Sequence, residues 1–181
     1  MIYIFEGIDN VGKSTQISKL NKVLASKSRW PLNIHCTNFG DKSLDYSISY
    51  YNKLIKEVIW LSDRDIYDVI LDRSWLGENV YCPMYRNTSG DYVFELERKL
   101  ILPNDKYGFR LITMIDSSLN VLDREDGASF STDSDMKSLE IKLFKETHEK
   151  SFIKHKLLVD IANLDEHDVW NLIELFLFKA E

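Results

Sequence analysis

The stretch "FEGIDNVGKST" (residues 5–15) sets the fold class. It follows the apolar, β-prone run "MIYIF" (1–5), and the segment from Ser14 to about Ala25 spaces Ile17, Leu20 and Leu24 at helical intervals. A glycine-framed turn therefore joins a buried strand to a helix. In that context Gly7-x4-Gly12-Lys13-Ser14 fits the phosphate-loop pattern. Glycines permit conformations and close approach that other residues obstruct, so successive N–H groups converge on phosphate oxygens at the positive end of the helix dipole. Lys13 supplies a point charge toward the β and γ phosphates, and the Ser14 hydroxyl is placed for Mg²⁺.

Outward from this turn, strands and helices alternate. "NIHCTNF" (33–39) reads as a second strand, and the stretch from about Leu44 to Leu61 carries Tyr51, Leu54, Ile55, Val58 and Ile59 at helical spacing. "YDVILD" (67–72) and "FRLITMID" (109–116) are apolar runs ended by an acid, the pattern of buried parallel strands whose last residues, Asp72 and Asp116, reach a cleft. Between them lie a helix after Ser74, a polar loop "RNTSGD" and the helical "YVFELERKLIL", stopped by Pro103. A helix over 119–125, a loop "DGASFSTDSD" and a helix through "MKSLEIKLFKETHEKSF" follow. "KLLVDIA" (156–162) is the last strand, and "DVWNLIELFLF" closes as an amphipathic helix with Val169, Trp170, Ile173, Phe176 and Leu177 on its apolar face. The pattern predicts an α/β fold of three layers, with a parallel, five-stranded sheet flanked by helices and ligands bound outside the carboxyl ends of the strands.

At 181 residues, with 44% hydrophobic and 29% charged, the chain fits a single domain over 1–181. Acidic residues outnumber basic ones 29 to 23, and no Lys/Arg block is present, so nucleic acid is not an expected partner of the whole surface. Cys36 and Cys82 share no metal-type spacing, the chain opens directly on strand residues and no apolar run approaches a membrane span, which together lead us to expect a cytoplasmic protein with reduced, packed cysteines. His35, His148, His155 and His167 form no ligand spacing and read as solvated or core residues.

Phosphate-loop proteins include GTPase switches, motor ATPases and small-molecule kinases, so a second motif has to separate them. "VILDRS" puts Asp72, Arg73 and Ser74 at the cleft end of a buried strand. The acid there either caps the next helix or serves magnesium or a hydroxyl, beside an Arg that binds a second phosphate. "FEGIDNVGKST" followed by "DRS" resembles the thymidylate kinases and, with Ser in the third position, the related deoxynucleoside kinases. The likeness implies a P-loop kinase with a short lid near 122–135, a transferase moving the γ-phosphoryl of ATP–Mg²⁺ to dTMP or a related deoxynucleoside monophosphate, and a homodimer as in many relatives.

Matched position by position, the resemblance assigns Gly7, Asn10, Val11, Gly12, Lys13, Ser14 and Thr15 to ATP, and Ser14 and Asp72 to Mg²⁺. Lys13, Asp72, Arg73 and Arg124 become the catalytic set, with Arg124 the one arginine offered by the lid segment "LDREDGASF". On the acceptor side it implies Asp9 for the sugar, Arg73 for the 5′-phosphate, and Trp60 and Arg64 of "WLSDR" for stacking on and reading the base. "LGENVYCPMYR" (76–86) is similar to a run in phage-type members and adds Glu78, Asn79, Tyr81, Tyr85 and Arg86, though Tyr81 and Tyr85 at i, i+4 serve equally well as a core stripe. Two departures stand out. Asn10 brings no basic group to the loop, and "TNFGDK" (37–42) lacks an arginine after the second strand, leaving Lys42 in its place. The alternatives are a deoxynucleoside kinase, a phage kinase acting on a modified pyrimidine nucleotide or DNA, and a nucleotide-binding regulatory module.

Overall fold

Alternation along the strands explains the layering. In β1 (Ile2–Gly7), Tyr3 and Phe5 enter one apolar core while Ile2 and Ile4 enter another. A strand buried on both faces needs helices above and below, and the computed structural model, which describes residues 1–36, 43–64, 67–124 and 133–178, has that arrangement. Five parallel strands run in the order β2–β3–β1–β4–β5, with β2 at Trp30–His35, β3 at Tyr67–Asp72, β4 at Phe109–Ile115 and β5 at His155–Asp160. This is the parallel-sheet α/β architecture expected.

On one face lie α1 (Lys13–Ser26), α5 (Ser134–Lys150) and α6 (Glu166–Phe178), which contribute Leu20, Leu24, Phe144, Val169 and Ile173 to the core. The other face is covered by α2 (Leu44–Asp63), through Tyr51, Leu54, Ile55 and Val58, and by α4 (Tyr92–Leu96), through Val93 and Leu96. The short α3 (Gly77–Tyr81) follows β3 at the carboxyl ends of the strands. Side-chain caps start two of the long helices: the Ser43 hydroxyl accepts from the Tyr46 amide, and the Asp133 carboxylate accepts from the Met136 amide at 2.8 Å.

Several boundaries differ from expectation. The second strand begins three residues earlier than 33, because pairing with Tyr67 extends it to Trp30, and its expected end at 37–39 lies outside the described residues. The helical run after Tyr92 ends at Ile101, two residues before Pro103, and Asn104 just beyond the proline is non-helical, as expected. The chain passes through a π-helical turn, Glu97–Ile101, into a 3₁₀ segment, Leu102–Tyr107, where proline at an initial position loses no needed donor. Glu97 anchors that turn: its buried carboxylate accepts from Trp75 Nε1 at 3.0 Å, Ser151 Oγ at 3.1 Å and the Phe152 amide at 2.7 Å. The helix expected over 119–125 is one 3₁₀ turn, Asn120–Arg124. Residues 125–132, most of the expected lid, lie outside the described residues, as does Lys42. Among the described residues no helix is long and apolar enough to cross a membrane.

His148, expected on the surface or in a core, is buried on α5 with Nδ1 2.9 Å from the Thr113 hydroxyl of β4. Burial, aided by the neighbouring Lys156, holds its pKa at about 4, against an ordinary 6.5. The unfolded chain therefore takes up a proton below pH 6.5 that the folded chain refuses until about pH 4, so stability falls as pH drops across that window. The contribution is roughly 3 kcal/mol. Denaturation midpoints of wild type and His148→Asn between pH 7 and 4 check this: the variant loses that part of the acid slope.

Candidate active site

The first strand ends where a side chain cannot go. Gly7 has φ +128°, and a Cβ there would lie 1.9 Å from the backbone oxygen of Met114 on the paired strand. Gly12, at φ +88°, precedes the first turn of α1, whose free N–H groups and dipole favour an anion. Asn10, which brings no charge, also adopts a left-handed conformation at φ 61°. Lys13 curls back across the loop, its Nζ donating to Gly7 O at 2.9 Å and to Ile8 O at 2.5 Å. Burial, and then Arg73, lower the Lys13 pKa to about 8. A cleft of about 440 Å³ opens over this turn, walled by residues 9–15, His35, Asp72, Arg73 and Arg124. That size suits a small-molecule ligand. A second hollow of about 290 Å³ shares Val11, Gly12, Thr15 and Arg124 with it and extends to Ile161 and Leu164.

Arg73 sits at the junction. It follows β3 with φ 69°, a left-handed backbone that a branched or long side chain adopts only under constraint. The constraint comes from Glu6, whose Oε1 accepts from the Ser74 amide and hydroxyl and from the Gly77 amide, pinning the turn. The guanidinium forms an ion pair with Asp9 of the phosphate loop and donates to the Tyr81 hydroxyl at 3.3 Å. Burial pushes the Asp9 carboxyl up, but Arg73 and Lys13 pull harder and leave it below the usual carboxylate range. Arg73 lines both the cleft and a small recess behind it formed with Glu6, Ser74, Glu78 and Tyr81.

The structure thus gathers Gly7, Asp9, Asn10, Val11, Gly12, Lys13, Ser14, Thr15, Asp72, Arg73 and Arg124 at one end of the sheet, with Glu78 and Tyr81 behind Arg73. Tyr81 packs edge-on against Phe144 at 5.9 Å while its hydroxyl meets Arg73. Tyr85 is exposed.

Four residues expected at the acceptor line neither the cleft nor the recess. Trp60 and Arg64 lie at the carboxyl end of α2, beside Ser62 and Asp63, which bond Met1 and Tyr107 at the amino ends of the strands. Since β3 begins at Tyr67 and reaches the cleft only at Asp72, the pair stands at the end of the sheet away from the cleft. The Arg64 guanidinium stacks over the Trp60 ring at 4.0 Å. Asn79 turns to another surface, bonding Asp91 and Thr147, and Arg86 is held by Glu78 at 2.6 Å and lines neither cavity. Asp116, though at a strand end, spends its carboxylate on the amides of Ser118 and Val121.

Besides Glu6, three groups escaped the sequence reading. His35 enters the cleft from β2, its Nδ1 3.0 Å from Asp72 Oδ2. Lys137 and Glu140 of α5 form a buried ion pair at 2.9 Å, and Glu140 accepts from the Tyr81 hydroxyl at 2.8 Å. A chain of contacts therefore runs from Asp9 through Arg73, Tyr81 and Glu140 to Lys137. Apart from the i, i+3 pair on α5, no spacing announces it, because the other members come from separate elements and turns.

Oxygen donors suit Mg²⁺, which keeps most of its shell for water and phosphate and takes one or two protein ligands. Ser14 and Asp72 both face the cleft and fit that role. The described residues hold no cluster of three or more His, Cys, Asp or Glu able to form a cage by themselves.

No protein-family model matches the sequence, and no curated protein matches it. Solved structures do. The YorR protein of Bacillus subtilis, determined in complex with phosphorylated GDP, superposes with a TM-score of 0.69 at 18% identity, covering 97% of this chain and 96% of that one. The thymidylate kinase of Candida albicans gives a TM-score of 0.52 at 17% identity over 95% and 88% of the two chains. The chain shares the fold of these structures, a parallel-sheet α/β architecture of the P-loop NTPase type.

The depressed Lys13 pKa has a measurable consequence. A bound triphosphate favours the charged ammonium and raises that pKa, so above about pH 8 binding is accompanied by proton uptake. ATP affinity should fall as pH rises from 8 to 10, by up to about tenfold per unit. Calorimetry at pH 9 in buffers of different ionisation heat should show uptake approaching one proton, absent in Lys13→Met.

Proposed function

We propose that the protein is a nucleotide kinase that moves the γ-phosphoryl group of ATP to a nucleoside monophosphate, dTMP or a related deoxynucleotide being the acceptor the motif resemblance implies. The observation that carries this reading is Arg73, one guanidinium lining both a phosphate-loop cleft and a separate recess. A nucleotide-binding switch needs no cation reaching beyond the donor's phosphates; a transferase needs one for its acceptor. The nucleotide in the YorR complex supports the first half of the reading.

In this account the triphosphate lies on the amides of residues 8–13 with Lys13 at its terminal phosphates, and the donor base occupies the hollow between Thr15, Arg124 and Leu164. Magnesium, when bound at Ser14 and Asp72, neutralises charge developing on the phosphates. Arg73 leaves Asp9 to hold the acceptor phosphate in line. An acceptor oxygen then forms the new bond to the γ-phosphorus as the bond to the β–γ bridging oxygen breaks, giving ADP and a nucleoside diphosphate. Phosphoryl transfer asks chiefly for positioning and charge stabilisation, and Lys13, Arg73 and Arg124 supply both.

A second reading, transfer to a nucleoside hydroxyl, draws on the charge around Arg73. The guanidinium already carries Asp9, and Glu6 and Glu78 stand behind it, a setting that a neutral acceptor approaches at lower cost than a dianion.

Incubating nucleosides and nucleoside monophosphates with ATP–Mg²⁺ separates the two. Diphosphate formation from monophosphates alone is the expected result, turnover of nucleosides alone favours the second reading, and no transfer with intact ATP binding defeats both. Arg73→Lys, which keeps the charge and loses the planar fork, should lower kcat about a hundredfold or more with the ATP Kd unchanged.

A further inference from the structure

Glu6 is the penultimate residue of β1 and is 1% exposed, yet its two carboxyl oxygens have different surroundings. Oε1 accepts three hydrogen bonds, from the Ser74 amide at 2.7 Å, the Ser74 hydroxyl at 2.6 Å and the Gly77 amide at 3.3 Å. Oε2 is equally buried and has no hydrogen-bond partner among the described residues. Buried polar atoms in folded proteins are almost always paired, and one that is not invites a ligand or solvent partner.

The recess beside Glu6 is small, about 30 Å³, and is completed by Cys36, Tyr51, Gly77 and Tyr81. That is about the volume one water molecule occupies in the liquid, room for a single hydroxyl and too little for a base or a phosphate. A phosphate there would also meet a buried carboxylate, and Glu78, the other acid on the wall, is already held by Arg86 and by the Tyr92 hydroxyl at 3.0 Å.

We infer that this recess receives one hydroxyl group of the acceptor's sugar, hydrogen-bonded to Glu6 Oε2, and that it selects acceptors by the sugar they carry. The inference deepens the kinase reading and rests on it for calling the occupant the acceptor. A hydroxyl is the one group that suits Oε2 in either protonation state, since it donates to a carboxylate and accepts from a carboxylic acid. The point matters here because burial raises the Glu6 pKa, against the opposing pull of the Ser74 hydroxyl, Arg73 and Lys13. Arg73, on the rim of the same recess, fixes the acceptor's phosphate end while Glu6 fixes its sugar.

Gly77 supplies a clean test. It is the first residue of α3, and a Cβ there would lie 3.8 Å from Glu6 Oε2 and 3.7 Å from the Tyr81 ring, ordinary van der Waals contact. Gly77→Ala therefore places a methyl group in the recess without forcing the backbone, and alanine favours the helix.

Calorimetric Kd values for ribo-, 2′-deoxy-, 3′-deoxy- and 2′,3′-dideoxy-monophosphates of one base, measured on wild type and Gly77→Ala, decide the matter. Wild type should bind the sugars that lack the recognised hydroxyl about 100-fold or more weakly. Gly77→Ala should bind the hydroxyl-bearing sugar as poorly as wild type binds its deoxy analogue, with an unchanged melting temperature. Glu6→Gln, which keeps the shape and can still bond a hydroxyl, should retain the wild-type order of preference. Equal affinity of wild type for all four sugars, or a Gly77→Ala protein with the wild-type pattern, overturns the inference. Because binding is read and not turnover, a protein that discriminates the hydroxyl but transfers no phosphoryl group sinks the kinase reading and leaves the recess standing.

Discussion

The ion pair between Arg73 and Asp9 joins the two halves of the site. Asp9 belongs to the phosphate loop that β1 delivers, and Arg73 to the turn that β3 delivers, so one guanidinium spans the carboxyl ends of neighbouring strands. Its left-handed backbone costs on the order of 1–2 kcal/mol, and the structure holds it there through Glu6, whose oxygen grips the amides of Ser74 and Gly77. Strain kept in place by buried hydrogen bonds at a cleft is the usual sign of a positioned functional group. The same contact explains the electrostatics: Arg73 helps keep Asp9 ionised, and it adds to the burial that disfavours the charge on Lys13.

This clasp also organises what lies behind it. The Tyr81 hydroxyl, Glu140 and Lys137 extend from Arg73 into α5, the helix that follows residues 125–132. Charges alternate along the chain of contacts, which lets two carboxylates and two cations stay buried near each other without a net charge in the interior. Anything that draws Arg73 from Asp9, an acceptor phosphate above all, changes the partner balance of that whole line.

Much of the architecture was legible in the sequence because it rests on local rules. The glycines and Lys13 of the first turn, the apolar runs of β3 and β4 and the helical spacing from Leu44 onward carry periodicity and backbone requirements that need no tertiary context. The misplaced residues share a different origin. Trp60 and Arg64 rest on spacing in related chains, and most of the seven residues between Arg64 and Asp72 belong to β3, which runs away from the helix end toward the cleft. Glu6, His35, Lys137 and Glu140 were invisible for a third reason. Glu6, His35 and Glu140 meet partners far along the chain, and a lysine in "MKSLEIK" looks solvated until Glu140, one turn on, is seen buried with it.

The most direct measurement of the central claim is a crystal structure with a non-hydrolysable ATP analogue and an acceptor monophosphate bound together. This account predicts the triphosphate on the amides around Gly12 and Lys13, with the Arg73 guanidinium released from Asp9 and bonded to the acceptor phosphate. Finding both ligands bound with Arg73 still paired to Asp9 and touching neither would contradict it.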